Sequence, residues 1–195
     1  MMSNSLTPGQ SRALATVSQT NALDTVEQAP INNRFPASLP KPWLEQWNED
    51  LEQKSPLARI EWTMENLPSQ FVISSSFGIQ SAVMLHMMTQ VYGNIPVLVT
   101  DTGHLFPETY RFIETLTERL NLNLHVYSAV ESAAWQLAKY GEQWAQDEAA
   151  LKEYNRKNKV EPLERGLSEL NCGTWFSGVR RQQTAHRQGV PGVSI

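Results

Sequence analysis

Apolar residues recur with two different periods along the chain from about residue 71 onward. "FVI" at 71–73 opens a short β-branched and aromatic run, which predicts a buried strand over 71–76. "IPVLVT" (95–100) predicts a second strand, and the alternating "LNLHVYS" (122–128) a third. "TWFSGV" (174–179) predicts a fourth. Between the strands the period changes. From Ile79, the residues Ala82, Val83, Leu85, Met87 and Met88 fall mostly at helical spacing, predicting a helix over 79–91. Pro107 followed by Glu108 suits a helix start, with the helix running to about Leu120. "ESAAWQLAKYG" (131–141) reads as a helix closed by Lys139 and Gly141. A charged stretch of mixed helix and loop follows, to Leu170.

Upstream, "WLEQWNEDLEQKSPLARIEWTMEN" (43–66) predicts two helices broken near Ser55-Pro56. Residues 1–38 are polar, contain Pro8, Pro30 and Pro36, and keep no period, so a flexible N-terminal arm is expected ahead of a folded domain over 39–195. Strands alternating with helices imply an α/β fold, a parallel sheet flanked by helices on both faces. Ligands of such sheets bind beyond the carboxyl ends of the strands. Here those ends carry Ser74-Ser75-Ser76-Phe77-Gly78, Asp101-Thr102-Gly103 and Arg180-Arg181.

The serine-rich turn is the first candidate for chemistry. Backbone N–H groups and hydroxyls at a helix N-terminus suit an anion, most often a phosphate. The competing reading is a well-capped connection, because Ser is a favoured N-cap. No Gly-Lys-Ser/Thr follows at the spacing of a Walker loop. Charge sharpens the picture. The net charge of −4 divides into +4 over residues 152–187 and −8 elsewhere. This argues against a general nucleic-acid surface and for one local anion-binding region. Lys152, Arg156 and Lys157 fit a solvated helix face better than the Arg180-Arg181 pair does.

Composition excludes more than it identifies. At 195 residues and 41% apolar content, one substantial core is the expectation. No apolar run is long enough to span a membrane, and the N-terminus lacks the pattern of a secretory signal, so a cytoplasmic protein is expected. One cysteine excludes an internal disulfide and any metal site built from several thiolates of one chain. None of His86, His104, His125 and His186 forms a metal-ligand spacing.

"SSSFGIQSAV", "TDTGHLFPETYRF", "NKVEPLERGL" and "TWFSGVRRQQT", in that order, resemble the phosphoadenylyl-sulfate (PAPS) reductases of sulfate assimilation. The resemblance covers roughly residues 43–195 and implies a sheet of the adenine-nucleotide alpha-hydrolase kind, PP-loop and Rossmann-like. It implies reduction of 3′-phosphoadenylyl sulfate to sulfite and adenosine 3′,5′-bisphosphate, with electrons from thioredoxin or glutaredoxin. A homodimer is left open. The Ser74–Gly78 turn, with Gln80 and Ser81, would then hold the phosphosulfate, and Asp101, Thr102 and Gly103 would shape the nucleoside side. Lys159, Arg180 and Arg181 would neutralise the sulfate and the 3′-phosphate. Asp101 could instead cap a turn, while Glu108 and Glu161 read as partners of arginines.

Two departures from the family pattern bear on function. Relatives that use unphosphorylated adenylyl sulfate carry a Cys-Cys pair where this chain has Tyr154-Asn155, which implies the 3′-phosphorylated substrate and no iron–sulfur cofactor. The family's nucleophile is a cysteine in a Glu-Cys-Gly-Leu-His segment, which is expected beyond Ile195. Cys172 in "ELNCGTW" does not match it and reads as a packed thiol, so a chain that binds nucleotide without the catalytic cysteine is expected. The alternatives are an ATP-cleaving ligase or sulfurtransferase of the same fold, and a non-catalytic nucleotide-binding module. The first is disfavoured by Gln80, which stands where such enzymes carry a carboxylate.

Overall fold

A computed structural model describes residues 41–179 and 189–194. The expected N-terminal arm lies outside them, as do Arg180 and Arg181.

Two helices come first, α1 (Lys41–Glu52) and α2 (Pro56–Asn66). Ser55 caps α2 by accepting from the Ala58 N–H, and Pro56 occupies the first turn, where its missing donor costs nothing. The sheet then begins with β1 (Phe71–Ser74), followed by α3 (Ser81–Val91), β2 (Pro96–Asp101), α4 (Pro107–Leu120) and β3 (Asn123–Ser128). Helix α5 (Ala133–Tyr140) leads through a short 3-10 turn at Gln143–Ala145 to α6 (Glu148–Asn155). A π-helical turn, Arg156–Val160, joins α6 to α7 (Glu161–Glu169), and β4 (Thr174–Ser177) completes the sheet.

All pairings are parallel, in the order β3-β2-β1-β4. The chain steps from β1 outward through β2 to β3, then returns to the other side of β1. The strand order therefore reverses at β1, and the crevice beyond its carboxyl end is where ligands of such sheets bind. Strands β1 and β4 end two residues earlier than their patterns predict. At β1 the reason is visible: Ser75 still donates to the Leu98 carbonyl, but Phe77 turns left-handed at φ 49°.

Alternation along the strands sorts the two faces. Ile73, Val97 and Val99 pack with Leu85 and Met88 of α3 and Ile113 and Leu116 of α4 into one buried cluster. Full burial of each such aliphatic side chain contributes about 1.5–3 kcal/mol. Leu98, one residue out of phase, faces α7 on the opposite side. There Gly166 lets the helix approach so closely that an added Cβ would meet Leu98 and the Tyr127 ring. The expected two-faced α/β architecture is thus observed. No described helix is long and apolar enough to cross a membrane.

Candidate functional site

The segment 75–80 leaves β1 and enters α3 without any side-chain cap on the helix. Gln80 is the N-cap residue and makes no capping hydrogen bond, and its side chain is exposed. The serines are therefore not spent as helix caps. Ser74 Oγ accepts from the Trp175 indole N–H at 2.8 Å, and Ser75 Oγ accepts from the Phe77 N–H at 3.0 Å. Each of these hydroxyls accepts one hydrogen bond and still has its proton to donate. Ser76 and Gly78 are exposed beside them. Ser81, by contrast, donates to the Gly78 carbonyl at 2.6 Å, which uses its proton to tighten the turn.

Phe77 contributes backbone only, because its ring is 2% exposed and belongs to the core cluster. A bulky residue at positive φ costs about 1–2 kcal/mol, which the burial of that ring offsets. The loop is thereby pinned to the core with its serines facing outward.

One strand over, Asp101 ends β2. Its Oδ1 accepts from the Gly103 N–H at 2.8 Å and from the Tyr110 hydroxyl at 2.7 Å. The carboxylate shapes the turn, the alternative role, and also lines a cleft. Burial, then the bond to Asp101, raises the pKa of the Tyr110 phenol. Gly103, at φ 72°, packs against the Ala133 side chain at the start of α5, where a Cβ would lie 2.8 Å away. This contact closes a cleft of about 200 Å³ lined by Asp101, Thr102, Gly103, Ser128, Ser132 and Asn158, among others.

Asn158 and Gln136 were not evident from the sequence. Asn158 sits on the π-helical turn, 1% exposed, and exchanges two 2.9 Å hydrogen bonds with the Gln136 amide. Each NH₂ group has a second acceptor, the Tyr154 carbonyl for Asn158 and the Glu131 carbonyl for Gln136. The pair fixes the floor of the cleft and the turn that carries Lys159. Lys159 is exposed and makes no ion pair among the described residues. A π turn interrupting an α-helix is frequent at functional sites.

The neighbouring cations behave as a solvated, paired face. Lys152 pairs with Glu148, and Arg156 and Lys157 both pair with Glu153. The two Arg156 hydrogen bonds, at 2.8 Å, hold the Glu153 carboxyl down at about 2. Glu108 pairs with Arg111 and Glu161 with Arg165, the roles their positions suggested. Tyr154 packs edge-on against Trp144, which in turn meets the His104 ring. Of the expected site residues, the structure brings Ser74–Gly78 and Asp101–Gly103 to adjacent strand ends, with Lys159 on the turn beside Asn158. Arg180 and Arg181 follow β4 but lie outside the described residues.

Known proteins of similar sequence and fold identify the family. The family model "Phosphoadenosine phosphosulfate reductase domain" matches residues 70–195. A phosphoadenosine 5′-phosphosulfate reductase from Pectobacterium atrosepticum is 57% identical over 148 residues, covering 76% of this chain and 61% of the relative. One of the same name from Vibrio parahaemolyticus is 57% identical over 152 residues, covering 78% and 59%. The chain thus spans about three-fifths of the length of these relatives. The crystal structure of a PAPS reductase from Candida auris, in a phosphate complex, superposes with a TM-score of 0.65 at 28% identity, over 75% of this chain and 71% of that one. With the motifs, the parallel sheet and the matched span in agreement, this chain belongs to the phosphoadenosine phosphosulfate reductase domain family.

Proposed function

We propose that this domain forms the nucleotide site of a PAPS reductase, which converts 3′-phosphoadenylyl sulfate to sulfite and adenosine 3′,5′-bisphosphate using electrons from thioredoxin or glutaredoxin. The observation that carries this reading is the serine run at the end of β1, where the Ser74 and Ser75 hydroxyls each accept one bond and keep a proton to donate at the strand-order reversal. Donors without competing carboxylates in the loop itself suit a phosphosulfate. The Candida auris relative supports it, since that structure is a phosphate complex. The Asp101 cleft takes the uncharged nucleoside: its carboxylate accepts from hydroxyl or amino groups and would repel a phosphate. The 3′-phosphate is assigned to Lys159, Arg180 and Arg181.

Calorimetry with adenosine 3′,5′-bisphosphate and with AMP tests this assignment. The bisphosphate should bind at least tenfold more tightly, the increment of one charge-assisted contact. Equal affinities would sink the 3′-phosphate site.

The chemical step needs a thiolate that attacks the sulfate sulfur, forming an S–S bond as the S–O bond to the 5′-phosphate breaks and adenosine 3′,5′-bisphosphate leaves. Two electrons from the reductant's dithiol then release sulfite. Cys172 is poorly suited to this role. Burial raises its pKa, and it precedes β4, about 16 Å of strand away from the end at Ser177. Cys172→Ser should therefore leave bisphosphate affinity within about twofold of the parent, and these 195 residues alone should release no sulfite from the substrate with thioredoxin. Sulfite release that Cys172→Ser abolishes would identify Cys172 as the nucleophile instead.

A further inference from the structure

We propose that Trp175 is a positioning residue that orients the Ser74 hydroxyl so that its proton is offered to the anion loop; the inference rests on the nucleotide reading above. An indole N–H can only donate, so a 2.8 Å contact from Trp175 Nε1 makes Ser74 Oγ the acceptor. The hydroxyl proton is then left for a second partner. Among the described residues no acceptor is bonded to it.

The register explains why Trp175 reaches this atom. Trp175 pairs with Val72 across the parallel β1–β4 ladder, and Ser177 pairs with Ser74. Val72, Ser74, Trp175 and Ser177 therefore share one face of the sheet, and the long indole extends toward the carboxyl end to meet Ser74. Phenylalanine at 175 would keep the apolar contact but could not donate. The tryptophan is 45% exposed, so core packing alone does not account for a residue of this size there. It also joins β4 to β1, the strand at which the order of the sheet reverses. In effect β4 orients a hydroxyl that belongs to β1.

The test compares two nucleotides that differ only in the 5′-phosphate, adenosine 3′-monophosphate and adenosine 3′,5′-bisphosphate. The affinity ratio between them measures what the loop contributes. Trp175→Phe should reduce that ratio about tenfold while changing the affinity for the 3′-monophosphate less than twofold. Ser74→Ala should do the same, and the double variant should be no worse than either single one. In ¹H–¹⁵N spectra, Ser74→Ala should shift the indole resonance that is missing from Trp175→Phe. A parent ratio retained by Trp175→Phe, or an indole resonance unmoved by Ser74→Ala, would overturn this inference alone. A parent chain with no preference for the 5′-phosphate would overturn both it and the nucleotide reading.

Discussion

Gly166→Val should lower the unfolding free energy by about 3 kcal/mol, read as a reduced denaturant midpoint at unchanged slope. An ideal Cβ at this position would lie 2.5 Å from Leu98 Cδ1 and 2.9 Å from the Tyr127 ring. Leu98 is 1% exposed in the middle of β2. Helix α7 must then lift from the sheet, carrying with it the π-helical turn that begins the helix. Gly166→Ala should show the same effect at about half the size, because one methyl group demands less displacement. An unchanged midpoint in the valine variant would mean that the helix does not depend on this close approach.

The second large effect is expected at the amide pair. Asn158→Leu should cost about 2–4 kcal/mol, because it strands the buried Gln136 amide without its two 2.9 Å partners. The asymmetry of such pairs provides the control. Removing both polar groups, in Gln136→Leu with Asn158→Leu, should recover a good part of the loss, since no buried donor or acceptor then lacks its partner across the pair. A double variant at least as unstable as the sum of the two single ones would show that the reciprocal bonds are not what holds the turn. The single variant should also weaken adenosine binding, as Asn158 lines the Asp101 cleft.

How far the sequence revealed this molecule depended on the range over which each interaction acts. Strands β2 and β3 were legible to within a residue because a continuous apolar run in β2 and local alternation in β3 are each closed by nearby turns. Pro56 and Pro107 marked helix starts for the same reason, being fixed by their own ring geometry. The stretch from 142 to 170 resisted division into elements because the π turn inserts a wider repeat between α6 and α7, and the apolar period slips there. Gln136 and Asn158 were invisible for a different reason. An amide in a helix is usually exposed, and only a partner 22 residues away makes it buried and satisfied. The serine loop was recognised by composition, but which hydroxyls keep a proton depended on Phe77 and on Trp175, the latter 101 residues from its partner. Ser81 shows the limit of composition: it lies in the same run, yet its proton is bound to Gly78.

The placement of β4 beside β1 has a consequence for how the chain is made. β2 can pair with β1 as soon as the intervening helix has emerged, but Phe71 must await Thr174, roughly a hundred residues later. At ribosomal speeds of about 5–20 residues per second, the outer edge of β1 stands open for on the order of 5–20 s. During that interval the nascent chain carries a three-stranded parallel sheet with an apolar strand at its margin, an edge able to capture another strand. Arrival of β4 closes that edge and brings the Trp175 indole to Ser74 in one event, so the exposed interval ends as the serine loop gains its indole donor.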